Sequence, residues 1–143
     1  MKILVSACLL GLRVRYDGQS KPVDSVIALM NEHELIPVCA EVFGGLPTPR
    51  VPAERAGERV ITKDGRDVTE QYVRGAEEIA RLARLYGCTH AILKEKSPSC
   101  GKGRIYDGTH TGTLTDGNGV LAETLMKMGV KVVGESEIDR LFE

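Results

Sequence analysis

Residues 69–94 read TEQYVRGAEEIARLARLYGCTHAILK, and the change of pattern inside them decides the fold. Up to Tyr86, apolar residues recur at 72, 73, 76, 79, 80, 83 and 86, the spacing of one helix face. Gly87 stops that helix, and His90–Lys94 continues as an apolar run too short for another helix, so it reads as a buried strand. Asp67, with Glu70 three residues later, offers a capping box for the helix start. Glu70/Arg74 and Glu77/Arg81 stand at i,i+4 on its outer face, worth a few tenths of a kcal/mol per pair. A helix feeding a strand through a short connection is half of a βαβ unit.

The same alternation extends in both directions. Lys2–Cys8, Leu35–Cys39 and Lys131–Val133 read as further strands, the first rich in β-branched residues. Val23–Met30 and Asn118–Met128 carry helical spacing, the second ended by Gly129, and Ser136–Phe142 reads as a capped final helix. Asp64-Gly65, a strong turn pair, places a small hairpin or extended arm in Arg59–Asp67. Strands alternating with helices indicate a mostly parallel sheet, so the expected fold is α/β, a Rossmann-like three-layer domain spanning residues 1–143.

Composition narrows the function. With 42% hydrophobic and 27% charged residues, the chain is of ordinary globular make-up. Nineteen Lys and Arg against twenty Asp and Glu leave a net charge of −1, which provides no field for a nucleic acid. No apolar run approaches the ~18 residues of a membrane span, and Ile3-Leu4-Val5 lacks the layout of a signal peptide. A cytoplasmic protein is expected, and there four cysteines suggest metal or reactive thiols before disulfides.

Three of the four cysteines fall at equivalent places. Cys8 and Cys39 lie at the carboxyl ends of the first two strands, and Cys100 lies in the loop after the third. Ligands of open parallel sheets bind outside those ends. Any one free cysteine reads most simply as a small buried hydrophobe. Three separate arrivals at the ligand-binding edge do not, and Ser97-Pro98-Ser99-Cys100-Gly101 offers no apolar neighbours for a core. Cys88 falls at the opposite edge and reads as core. A structural zinc ion wants four protein ligands, usually in close pairs that are missing here. His33 and His90 precede strands and belong to the wrong edge, which leaves only His110 as a possible further ligand. An iron–sulfur cluster needs no local pairs, and a [4Fe-4S] cluster on three cysteines leaves one iron open.

The motifs Ser6-Ala7-Cys8-Leu9-Leu10-Gly11, Arg15-Tyr16-Asp17-Gly18, Pro37-Val38-Cys39-Ala40-Glu41, Gly44-Gly45-Leu46-Pro47, Pro49-Arg50 and Lys96-Ser97-Pro98-Ser99-Cys100-Gly101 stand in the order and spacing of one family. The chain resembles the thiouracil desulfurases, and Tyr106-Asp107-Gly108 and Gly117–Val120 extend the likeness over nearly its whole length. The resemblance implies a [4Fe-4S] cluster held by Cys8, Cys39 and Cys100. It also implies a small-molecule thiolated pyrimidine as substrate, converted to the oxo base and sulfide. An acidic residue and a serine assist in that family, and the matching positions are Glu41 and Ser97. Ala40 departs from a proline common there, which should alter loop stiffness rather than chemistry.

The implied roles make chemical sense. The open iron would polarise C=S, and a water adding to the ring carbon needs a base, which Glu41, two residues after Cys39, can supply. Asp17 is the next candidate. Ser97 can hydrogen-bond the substrate or the carboxylate, or cap a turn. Six glycines between Gly101 and Gly119, with Gly44-Gly45, suit close backbone approach, although turns in a long loop explain some of them. Gly101-Lys102-Gly103 lacks the P-loop frame, so nucleotide-triphosphate chemistry is not expected. Arg13, Arg15 and Arg50 can bind a substrate anion or form loop salt bridges, and the latter is favoured for Arg15 and Arg50. Two rival functions remain: a sulfurtransferase or redox protein with a persulfide on Cys100, and a non-catalytic cluster-binding module.

Overall fold

β1, Lys2–Ser6, turns Ile3 and Val5 to one side and Leu4 to the other, all three fully buried. A strand apolar on both faces needs a cover on each side, and the computed structural model, which describes residues 1–143, supplies both. β1 pairs in parallel with β2 (Glu34–Val38) and β5 (His90–Leu93), and β5 with β8 (Lys131–Gly134). The order is β2-β1-β5-β8. On one face, Leu4, Ala91, Leu93 and Val132 pack against α3 (Thr69–Tyr86) and α4 (Val120–Lys127) through Ile79, Ala83, Leu121 and Leu125. On the other, Ile3, Val5, Ile92 and Val133 meet Leu9, Val26 and Leu141. The expected three-layer α/β arrangement is present.

The elements differ from expectation mainly at their ends. β1 stops at Ser6, and Ala7–Leu10 tightens into a 3-10 turn. The first helix is α1 (Asp24–Ile27), prolonged by a 3-10 turn over Ala28–Asn31. Cys39 leaves β2 and precedes a short α2 (Ala40–Phe43) that the sequence pattern did not reveal. The closing helix is a 3-10 segment, Glu135–Phe142, broken at Glu137. Asp64-Gly65 does form the expected turn, across which Ile61 meets Asp67 in an antiparallel bridge, and β4 (Arg59–Thr62) also pairs with a strand not foreseen, β3 (Ala53–Ala56). The glycine-rich stretch after Cys100 is a second hairpin, β6 (Arg104–Tyr106) with β7 (Leu114–Asp116).

α3 has the expected bounds and ends at Gly87. Tyr72, Ala76, Ile79, Ala80 and Ala83 form its buried stripe, while Val73 and Tyr86 are exposed. The capping box does not form. Val68 is the N-cap, because the Asp67 carboxylate accepts the Thr69 N–H at 2.9 Å in a local turn and pairs with Arg59 at 3.1 Å. The i,i+4 ion pair that closes is Glu123–Lys127 on α4 at 3.5 Å, rather than either pair on α3.

Candidate functional site

The chain leaves β1 toward β2 on one side and leaves β5 toward β8 on the other, so their carboxyl ends flank the switch point of the sheet. A cleft of about 560 Å³ opens there, and Cys8, Cys39, Cys100, Glu41 and Ser97 all line it. Cys88 lies away from it, buried in the core between the end of α3 and β5. His33 is also remote, stacked on Phe142 with ring centroids 5.2 Å apart.

Each thiol is delivered by a different local device. Cys8 rides the 3-10 turn that follows β1, whose carbonyl accepts the N–H groups of Gly11 at 3.2 Å and Lys21 at 2.9 Å. Cys39 sits in extended conformation at the N-cap of α2. That short helix lies close on α3 because Gly75 has no side chain: a Cβ there would stand 1.8 Å from the Ala40 carbonyl oxygen. Cys100 belongs to a loop that caps α4. The N–H groups of Val120 and Leu121 donate to Pro98 and Ser99 carbonyls at 2.9 and 2.8 Å, and Gly119 makes the approach, since a Cβ would lie 2.4 Å from Ser99 C. Contrary to the reading of Ser97–Gly101 as lacking apolar neighbours, Cys100 is 7% exposed and packs with the α3/α4 core.

Burial raises all three thiols above their ordinary value. Burial pushes Cys100 up to about 12, although Ser6 and Ser99 hydroxyls donate to its Sγ at 3.3 and 3.5 Å and oppose the shift. Cys8 is pushed up to about 11, by burial first and by Cys39 second. Cys39 is raised by burial and by Glu41. No three of the chain's Cys, His, Asp and Glu side chains converge tightly enough for a single ion. Three soft donors around an open cleft instead suit a group that spans it, and loading that group would release their protons.

Glu41 is fixed by two partners that spacing did not disclose. Arg50 Nη2 donates to Oε2 at 2.7 Å, and the Tyr72 hydroxyl donates to Oε1 at 2.6 Å. Arg50 is itself held by the Val14 carbonyl at 2.8 Å, in keeping with its expected loop salt bridge. Tyr72, only 2% exposed, is held far above the ordinary phenol range by burial and then by Glu41. Ser97 Oγ accepts the N–H groups of Ser99 and Cys100, both at 3.1 Å, and bonds the Ser99 hydroxyl at 3.0 Å, so it shapes the Cys100 turn. Ser6, seen in the sequence only as part of the Cys8 motif, accepts the Lys94 N–H at 2.9 Å while donating to Cys100, which joins β1 to the end of β5 at the cleft floor. Arg15 pairs with Asp17 at 3.4 Å, and Arg13 is exposed. Tyr72 left its own trace in the sequence, as the one aromatic hydroxyl on the buried stripe of α3.

Fold and cleft together define a doubly wound α/β protein with a three-thiol site at the switch point of its sheet. The model of the 2-thiouracil desulfurase family matches residues 3–137, and the chain belongs to that family. It is 39% identical over 147 residues to the uncharacterized protein YbbK of Bacillus subtilis, covering 96% of this chain and 97% of that one. A solved structure, described as the [4Fe-4S]-dependent thiouracil desulfidase TudS, is 49% identical and superposes with a TM-score of 0.95. It covers 99% of this chain and 95% of its own. No helix is long and apolar enough to cross a membrane.

Proposed function

We propose that this chain is a [4Fe-4S]-dependent desulfurase that converts a thiolated uracil, of the 2-thiouracil or 4-thiouracil type, and water into uracil and sulfide. The observation that carries this reading is the meeting of Cys8, Cys39 and Cys100 around one cleft beside Glu41. Family membership and the likeness to the thiouracil desulfidase support it. In this reading the three cysteines, as thiolates, hold the cluster. When bound, the cluster supplies an iron without a protein ligand, a Lewis acid suited to the soft thiocarbonyl sulfur.

The chain's own residues do the rest. Glu41 takes a proton from the water that adds to the thiocarbonyl carbon. Arg50 and Tyr72 occupy one lone pair on each carboxylate oxygen, which leaves acceptor capacity for that proton. Ser97 accepts two backbone N–H groups and gives its hydroxyl proton to Ser99 Oγ, whose own proton goes to Cys100; in this reading Ser97 turns that proton from Ser99 to the substrate. The C–S bond breaks as the C–O bond forms, and the oxidation state of the ring does not change.

Anaerobically reconstituted protein given 2-thiouracil or 4-thiouracil should yield uracil and sulfide in equal amounts, over many turnovers. Protein that carries iron yet releases sulfide from neither compound would reduce the site to a binding module.

A further inference from the structure

His110 is the histidine that the sequence left open as a ligand, and the site described above gives it no task. It stands at a left-handed φ of 58° in the turn between β6 and β7, where it lines the cleft together with Glu54 of β3. Glu54 holds that turn in place. Its Oε1 accepts the backbone N–H groups of Gly108 at 3.0 Å and of His110 at 3.1 Å. Its Oε2 faces His110 Nδ1 at 3.5 Å, and both side chains are largely shielded, 13% and 19% exposed. A non-glycine residue keeps left-handed backbone only where its surroundings hold it, and these two bonds do so.

The remaining ring nitrogen is the anomaly. His110 Nε2 is the single buried side-chain nitrogen or oxygen in the chain without a hydrogen-bond partner. A core histidine would have found one, and no group of ligands converges on it to hold an ion. With Nδ1 turned to a carboxylate, the proton of the neutral imidazole belongs on Nδ1, which leaves Nε2 as an acceptor. Nε2 is closed to water here, so its missing partner is an N–H or O–H group that meets the ring as it turns toward the cleft that His110 lines.

Resting on the desulfurase reading for the identity of that occupant, we propose that His110 Nε2 accepts the imide N–H of the pyrimidine ring, with Glu54 as the positioning residue that holds the tautomer and the turn. A uracil-type ring alternates N–H donors with C=O or C=S acceptors. A site built to pair a ring N–H strongly rejects a ring that lacks it.

The test combines turnover with binding of the sulfur-free product. Wild-type protein should prefer 2-thiouracil over its 3-methyl analogue by about 100-fold or more in kcat/KM. In His110→Ala that preference should shrink to about threefold or less, and kcat/KM for 2-thiouracil should fall about tenfold or more, chiefly through KM. His110→Gln, whose carbonyl can accept, should regain part of the preference. Unchanged visible absorption in both variants excludes a loss of fold. By calorimetry, uracil should bind His110→Ala about tenfold or more weaker than wild type. If the preference persists in His110→Ala, or uracil binds it equally well, the proposal is wrong while the desulfurase reading stands. If wild type binds uracil through His110 but releases no sulfide, the reverse holds. If wild type neither binds uracil nor releases sulfide, both are overturned.

Discussion

Gly75→Ala should improve helix α3 as a helix and damage the protein. Glycine inside a helix costs roughly 0.5–1 kcal/mol relative to alanine, so intrinsic preference favours the change. Packing opposes it. The new Cβ would stand 1.8 Å from the Ala40 oxygen and 2.6 Å from its carbonyl carbon. An ordinary contact needs roughly 3.5 Å, so α2 would have to retreat by about 1.7 Å. The obstacle is backbone, and it has no slack, because a Cβ on Gly44 at the end of α2 would likewise stand 1.9 Å from the Gln71 oxygen. Overpacking typically costs about 1–3 kcal/mol, and a backbone obstacle belongs at the upper end. The net expectation is a loss of about 1–2 kcal/mol, which lowers the urea midpoint by roughly 0.5–1 M. The retreat would also move Cys39 and draw Glu41 away from Tyr72, so iron retention should drop. Turnover per bound iron should fall about 10²-fold, as for a misplacement of ångström size. Urea unfolding followed by circular dichroism, iron assay and sulfide release read the three effects. A raised midpoint with unchanged iron and turnover would refute the close-packing account of how α2 is positioned.

Replacing Cys8, Cys39 or Cys100 with Ser should each abolish the visible absorption of the reconstituted protein, whereas Cys88→Ser should keep it. Bleaching by Cys88→Ser alone would contradict the assignment. Glu41→Gln should retain iron and lose turnover by about 10²-fold or more, the usual effect of removing a general base. Normal turnover would move the base elsewhere, though not to Asp17, which is exposed, pairs with Arg15 and does not line the cleft. Away from the cleft, the Arg55 hydrogen bond at 2.6 Å holds Glu123 below the ordinary carboxylate value. Its contribution to stability is present above about pH 4.5, the unfolded value, and is lost as pH falls through the lower folded one. Because the carboxylate is 36% exposed, a few tenths of a kcal/mol is expected. Urea midpoints between pH 6 and 3 should decline less in Glu123→Gln than in wild type, and equal slopes would discount the pair.

What the sequence disclosed and what it hid follow from how each feature is encoded. The βαβ alternation was legible because α3 and the strands of the parallel sheet carry long or wholly apolar patterns. The cysteine edge followed from it, since any residue just past a parallel strand reaches the same side. β3 and the β6–β7 hairpin escaped notice because their strands are three or four residues long, too short to establish alternation. α2 is a single helical turn whose existence depends on the glycines that let it lie on α3. The partners of Glu41 and of His110 come from elements 9 to 56 residues away in sequence, and no local pattern announces such contacts. The failed capping box has the opposite cause: Asp67 satisfied its carboxylate with a nearer N–H.

The central claim is that three cysteines, and no fourth protein thiol, hold one cluster at the switch point of the sheet. Iron and acid-labile sulfide per chain, measured on anaerobically reconstituted wild type and Cys88→Ser side by side, test it most directly. About four of each in both proteins is the predicted result. A chain that takes up one iron or none, or a Cys88→Ser protein that loses its iron, would contradict it.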